Sequence, residues 1–539
     1  MKPIIYFSLA LLLILSSCEK FLEEKPTGTL TTESKLSSND AGIALATGAY
    51  RSLANWTAGV SEWGGNLVGG YEYFTGKAYS QYMGAKLFKY ETDTENGEED
   101  YFSYPWRYWY QGIRDCNLAI KMIPEISGMS VDDKSKYLGE VRTLRAFYYF
   151  CLVRYYGDVI YNTEVITDLS QVQRPRSSLA TIYNKIIVPD LEFAVNESKL
   201  EDVRSGGRVT KHVARAILAD VYLTMSGYPY QEVITDTTKS WCVGGLWSMT
   251  QYPVNSQSAK ELLQKAKTQL DFLYGKYPIG KFSDLPDPAM DNKNGAIFQV
   301  QYLVGTTNNG CVQCFVPLSS HTTVLTTETG TIIPSLGYYN SFNPADKRIE
   351  DRAYFYYSDT YASKYDVNES PAGKFPCPFL YKYYDYQCMK VTGSSGLNFN
   401  LYRYADILLM LTEVNWALRQ LGVSIPDNDI VKGINEVRER AGLSTFLASD
   451  LTLKDIMSER AYELIFENKM LWDQRRTRKA LVDGSGSSTA LENLVGHQPA
   501  SFNYKFSKKH LLSPVSVNEI STNTKCLQNY SWLPVQIGQ

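Results

Sequence analysis

Aromatic rings set among glycines are the residues of this chain with the most chemistry to offer. WGGNLVGGYEYF (63–74) places Trp63, Tyr71, Tyr73 and Phe74 around four glycines, and WCVGGLW (241–247) places Trp241 and Trp247 around two. LGYY (336–339) presents Tyr338 and Tyr339. A ring flanked by glycine has little local scaffold to pack on, so some of these are expected at the surface. An exposed Trp or Tyr is a flat apolar platform with a polar edge. The C–H face of a sugar stacks on such a platform while its hydroxyls bond to Asn, Gln, Asp and Arg. Local packing is the commoner fate of any single loop aromatic, but the set as a whole predicts at least one ligand platform. The predicted ligand-binding residues are Trp63, Tyr71, Tyr73, Trp241, Trp247 and Tyr338. Trp106, Tyr108, Trp109, Tyr110, Trp416 and Trp472 fall in helical segments and are expected to be mostly core.

Catalytic chemistry is poorly represented. The sequence has no P-loop, G-x-G-x-x-G, G-x-S-x-G or H-E-x-x-H signature. Its four histidines, His212, His321, His497 and His510, have no readable partners and are expected to be structural or solvated. Glu459, Glu463 and Glu467 recur at i, i+4 and i+8 on one helical face. Catalytic carboxylates of glycosidases face each other across a substrate, usually from separate elements. This row is therefore expected to pair with bases such as Arg460, Arg475 and Arg476, and Arg142, Arg145 and Arg403 are expected to tie helices together. Cys311-Val-Gln-Cys314 is a lone C-x-x-C without a second pair, which argues against zinc. Cys311–Cys314 or Cys377–Cys388 could form loop staples, while Cys116 and Cys151 read as small core residues. No complete D-x-[DN]-x-[DN]-G calcium loop occurs. No catalytic residue, metal or cofactor is predicted.

The elements that must position the rings are mostly helical. Apolar periodicity predicts helices over 37–54, 105–126, 134–156, 178–198, 210–226, 258–274, 401–421, 427–441 and 452–480. Pro105 suits a first helical turn. Residues 275–400 lose that periodicity and are rich in Gly, Pro, Asn, Asp and Tyr. A strand is expected at 296–304, with long loops around it of the kind that carry function. The tail after 480 reads as irregular. The fold class is mainly α, with successive helices suggesting a solenoid and an irregular, loop-rich subdomain containing a few short strands. The 539 residues carry 54 basic and 57 acidic side chains, and a net charge of −3 argues against a nucleic-acid partner.

The amino terminus sets the compartment. Lys2, the apolar run 4–15 and Ser16-Ser17-Cys18 form a secretory signal. The run spans only ~18 Å as a helix, too short for a ~30 Å hydrocarbon core. Leu15-Ser16-Ser17-Cys18 resembles a bacterial lipoprotein box, which predicts removal of 1–17, lipidation of Cys18 and a polar tether over 18–36. The rest divides into a helical region 37–274, an irregular ligand-binding subdomain 275–400, and a helical region with its tail, 401–539.

In order along the chain, the following segments are similar to those of the SusD/RagB family of Bacteroidetes outer-membrane lipoproteins. They are Cys18-Glu-Lys-Phe-Leu; Glu140-Val-Arg-Thr-Leu-Arg-Ala-Phe-Tyr-Tyr running to Tyr156-Gly157-Asp158-Val159; and Arg403-Tyr-Ala-Asp-Ile-Leu-Leu-Met-Leu-Thr-Glu413. Then come Ile434-Asn-Glu-Val-Arg-Glu-Arg-Ala-Gly-Leu443; Glu459-Arg460 through Glu467 with Trp472-Asp473 and Arg476; and Pro514 through Asn529. Ile160, Ala296, Leu512 and Ser513 depart from the family pattern. The resemblance implies a tetratricopeptide-like helical scaffold, a glycan ligand and no catalysis. It also implies a SusC-like TonB-dependent outer-membrane barrel as partner, beneath a lipid-anchored, surface-exposed lid. A RagB-like oligopeptide binder is the alternative within the same uptake role, and a surface glycoside hydrolase the alternative outside it.

Overall fold

The computed structural model describes residues 39–56, 71–80, 100–203, 206–227, 259–310, 312, 315, 332–356, 379–385, 387–388, 394–500, 504–529 and 532. Helices dominate, as expected. They are α1 (Asn39–Gly48), α2 (Asp100–Met122), α3 (Val131–Tyr156), α4 (Leu179–Ile182), α5 (Val188–Asn196), α6 (Lys211–Ser226), α7 (Ala259–Leu273), α8 (Leu336–Asn340), α9 (Tyr404–Gln420), α10 (Asp427–Arg440), α11 (Leu453–Glu463), α12 (Met470–Thr477) and α13 (Val517–Thr522). Starts are set locally. The hydroxyls of Ser130 and Thr210 accept from the third helical N–H, and Thr452 with Asp455 closes a reciprocal capping box.

Successive helices pack on one another: α2 on α3, α3 on α5, α5 on α6, α6 on α7, α7 on α9 and α9 on α10. This is the tetratricopeptide-like scaffold that the family resemblance implies. Small residues set the approach. A Cβ on Gly433 of α10 would stand 2.2 Å from the carbonyl oxygen of Leu408 in α9. Buried ions tie the layers. Arg145 of α3 forks onto Asp190 of α5 (2.7 and 2.9 Å) and donates to Asn117 of α2 (2.9 Å).

The strands form two-stranded antiparallel pairs. β1 (Ala78–Ser80) pairs with β5 (Ile332–Pro334), β2 (Val159–Ile160) with β3 (Arg176–Ser177), and β4 (Ala296–Val300) with β8 (Phe399–Arg403). β6 (Phe355–Tyr356) pairs with β7 (Phe379–Leu380), and β9 (Lys479–Gly484) with β10 (Ser487–Asn493).

Local readings needed correction in four places. The expected 296–304 strand stops at Val300, after which the chain turns back through a Leu303–Thr307 bridge. Pro105 lies one turn inside α2 rather than at its start, so it removes one hydrogen bond there. The continuous helix expected over 452–480 ends at Glu463, and Phe466 and Asn468 adopt left-handed backbone (φ 54° and 58°) before α12 begins. Tertiary partners impose that break, for Arg403 donates to the Glu463 carbonyl (2.6 Å) and Glu72 accepts from the Asn468 N–H (2.7 Å). Finally, the stretch read as helix end and irregular tail forms the β9–β10 hairpin around Gly484-Ser485-Gly486.

Candidate ligand-binding site

The structure places three of the six predicted rings. Tyr71, Tyr73 and Tyr338 are core residues, with 1%, 0% and 1% of their surface exposed. They offer no surface platform, which corrects the expectation. Glycine neighbours do leave a ring without local support, but distant elements supply it. Tyr71 meets Tyr155 of α3 and Trp472 of α12 edge-on, at 5.2 and 5.1 Å between centroids. Tyr338 donates to the Ala461 carbonyl and lies near-parallel to Tyr462. Trp63, Trp241 and Trp247 lie outside the described residues, as do Cys18, His321, Cys311, Cys314 and Cys377. Cys388 is a buried free thiol, pushed up to about 12 by burial first and then by Asp385.

The neighbour of Tyr338 tells the other half of the story. Ser335 caps α8 through its hydroxyl, and successive helical residues point about 100° apart. Tyr338 therefore turns inward while Tyr339 is only half-buried. Tyr339 lines an open cleft of about 480 Å³ with Asn340, Phe342, Pro344, Ile349, the hairpin turn Asp483–Gly486 and Ala500. Its ring is held edge-on by Phe355, at 5.0 Å and 85°. Apolar groups make one wall, and the exposed Asn340 and Ser485 supply polar groups at the rim. That volume falls in the usual range for small-molecule sites, ~300–1,000 Å³, and the lining suits a pyranose with one apolar face.

Lys77 holds both walls. Its carbonyl accepts from Ser335 N–H (2.7 Å), fixing the start of α8, while its ammonium bonds the Leu481 carbonyl (3.0 Å) and pairs with Asp483. Gly486 N–H then bonds the Asn340 carbonyl (2.8 Å), so hairpin and helix are joined directly. The sequence offered a signal that went unread: Ala480-Leu-Val-Asp-Gly-Ser-Gly486 is a strand followed by turn-formers.

Beside this frame lies a buried charge cluster. Glu459, Glu463 and Glu467 do pair with bases, but not with the expected Arg460, Arg475 and Arg476: Arg460 and Arg476 turn instead to Asp406, Asp473 and Glu413. Glu463 meets Arg403 (2.6 Å), Arg348 (3.3 Å) and Arg440, Glu459 meets Arg348 (2.7 Å) and Arg438 (3.0 Å), and Glu467 meets Arg403 (2.8 Å) and Lys382. Burial alone would raise the Glu463 carboxyl, yet the guanidiniums of Arg440, Arg403 and Arg348 outweigh it and hold it well below the usual range. Burial pushes Lys382 down to about 8 against the opposing pull of Glu467. The three carboxylates are buried against these bases, so the row is structural, while Arg403 and Arg440 also line a small polar pocket with Asp284, Asp291 and Asn294. His212 bonds Tyr277 (2.7 Å) and His497 faces Glu492 (3.2 Å), again structural pairings. Among the described residues, no group of three or more His, Cys, Asp or Glu side chains is placed to hold a metal.

A ring pair within 275–400 also went unpredicted. Tyr381 and Tyr384, both half-buried, stack at 5.3 Å and 14° beside the β6–β7 pair. Their i, i+3 spacing across a single helical turn was the available signal.

Comparison with known proteins closes the identification. Residues 287–532 match the model described as SusD family, and residues 20–223 the model described as "Starch-binding associating with outer membrane". SusD-like protein P38 of Formosa agariphila is 27% identical over 499 residues, covering 87% of this chain and 90% of that protein. The crystal structure of a SusD superfamily protein from Parabacteroides distasonis superposes with a TM-score of 0.74 at 28% identity, over 93% of this chain and 100% of the other. Surface glycan-binding protein A from Bacteroides uniformis shares the fold, with a TM-score of 0.70 at 19% identity over 92% and 100% of the two chains. With matches at both ends of the chain and a shared fold across nearly its whole length, this protein belongs to the SusD/RagB family.

Proposed function

We propose that the protein is a non-enzymatic glycan-binding lipoprotein of the outer membrane, lipidated at Cys18, that delivers captured oligosaccharide to a SusC-like TonB-dependent barrel. The observation that carries the ligand class is the Tyr339 cleft: one aromatic and aliphatic wall, one polar rim, and walls pinned from beneath by Lys77. Family membership and the printed name of the Bacteroides uniformis neighbour support the same class. Trp63, Trp241 and Trp247, flanked by glycines in the sequence, are further ring candidates. Residues 275–400 contribute Tyr339 and Asn340, and the hairpin contributes the facing wall. No helix among the described residues is long and apolar enough to cross a membrane, which is compatible with attachment through a lipid.

Calorimetry of the purified full chain against a panel of defined oligosaccharides tests the ligand class. Tyr339→Ala is expected to weaken binding of a neutral oligosaccharide at least tenfold, about 1.4 kcal/mol, as loss of a central aromatic contact does. Unchanged affinity in that variant excludes the cleft, and absence of binding to every glycan excludes the ligand class. Incorporation of labelled fatty acid, abolished by Cys18→Ala, tests the anchor. Co-purification with an outer-membrane barrel tests the partner.

A further inference from the structure

The outer face of α2 carries a second set of rings with a different chemistry. Tyr104, Arg107, Tyr108, Gln111 and Arg114 recur at three- and four-residue steps, so they form one stripe along the helix. The opposite face, with Trp106, Trp109, Ile113 and Cys116, is buried and provides the packing of α2. Tyr104 and Tyr108, both half-buried, stack at 5.6 Å and 17°. The Arg107 guanidinium lies 4.9 Å from both ring centroids and donates to the Tyr108 hydroxyl (3.2 Å). Arg107 is exposed, and no carboxylate among the described residues pairs with it.

Charge along the stripe is unbalanced. Arg114, 55% exposed, and Arg51, 69% exposed, share the single carboxylate of Asp115, at 2.8 and 3.2 Å. Among the described side chains, three guanidiniums thus meet one acid, Asp115. Beyond its bond to Tyr108 the Arg107 guanidinium has further N–H groups to offer, and such groups bind planar or tetrahedral oxyanions in pairs of hydrogen bonds. The adjoining rings offer the stacking face for a sugar. None of the five stripe residues is aliphatic, so nothing here would enter an acyl layer.

We propose that this stripe is a subsite for acidic glycans, with Arg107 binding the carboxylate or sulfate ester of a sugar seated against Tyr104 and Tyr108. The inference rests on the glycan-binding reading and names a ligand class for it. Calorimetry of the full chain would use oligogalacturonate as the carboxylated probe, oligosaccharides of a sulfated galactan as the sulfated probe, and unsubstituted gluco- and galacto-oligosaccharides as neutral ones. The expected result is binding of at least one acidic probe, weakened tenfold or more by Arg107→Gln and by added salt, with neutral binding unchanged in that variant. Tyr339→Ala should show the reverse pattern. Which acidic probe binds identifies the anion. Neutral binding without acidic binding in the native chain overturns this inference alone, as does acidic binding indifferent to Arg107→Gln. Failure of every glycan overturns the ligand class as well. Co-sedimentation with phosphatidylglycerol vesicles that is lost in Arg107→Gln, with glycan binding intact, would reassign the stripe to a membrane surface.

Discussion

Glu463 shows how much one side chain can hold. Its carboxylate accepts from Arg403 and Arg440 and from the Tyr354 hydroxyl (2.9 Å), and its second oxygen faces Arg348. Removing one member of a buried ion cluster leaves charges with neither water nor partner. Glu463→Gln is expected to destabilise the fold by about 3 kcal/mol in urea unfolding, the scale of a broken buried pair. Glu72 offers the opposite case. It is buried, it accepts from both the backbone N–H and the side-chain amide of Asn468, and burial lifts it from 4.5 to about 7 despite those bonds and Lys382. The folded chain thus holds a proton that the unfolded chain has released between about pH 4.5 and 7, so stability falls as pH rises through that window. Glu72→Gln, which keeps an acceptor for Asn468, should match the native chain near pH 4. It should become more stable by about 1–3 kcal/mol above pH 7. Thermal melts across that range check the divergence; parallel curves would contradict it.

At the scale of elements, close approach and capping decide which pairings persist. Gly433 lets α10 lie against the α9 backbone, and Thr412 Oγ1 of α9 accepts from Ile434 N–H (2.9 Å) at the same crossing. Gly433→Ala has no room for its methyl group and should cost about 1–3 kcal/mol, as overpacking does. It is expected to lower the urea midpoint with an unchanged m-value. Helices of this kind were legible because an apolar stripe at 3.6-residue spacing is a local property. The break between α11 and α12 was not, because its cause lies in Arg403 and Glu72, distant in sequence. The β9–β10 hairpin lay between: Ala480-Leu-Val482 and its turn were readable, but β10 is too polar to stand out.

The whole molecule is closed by its own tail. Asn529 donates to the Tyr156 (3.0 Å) and Ser513 (2.8 Å) carbonyls and accepts from Arg176 (2.7 Å). Trp532 donates to the Leu512 carbonyl (2.8 Å) and packs near Phe102, 5.9 Å between ring centroids. These residues seal the end of α3, where Gly157 turns the chain at φ 79° and Asp158 accepts from Leu179 N–H (2.8 Å). Asn529→Ala leaves two buried carbonyls short of a donor and should cost about 1–3 kcal/mol. Deleting 514–539 should prevent recovery of soluble, cooperatively unfolding protein, whereas a well-folded truncated chain would show that the tail is dispensable.

The sequence by itself determined the helical class, most helix spans and the family motifs. Each of these depends on residues near one another in the chain. Only the tertiary structure decided which rings reach water. Tyr338 and Tyr339 are adjacent and chemically identical, yet one lies under Tyr462 and the other lines a cleft. Burial is set by what folds over a residue from elsewhere, and no local spacing encodes that.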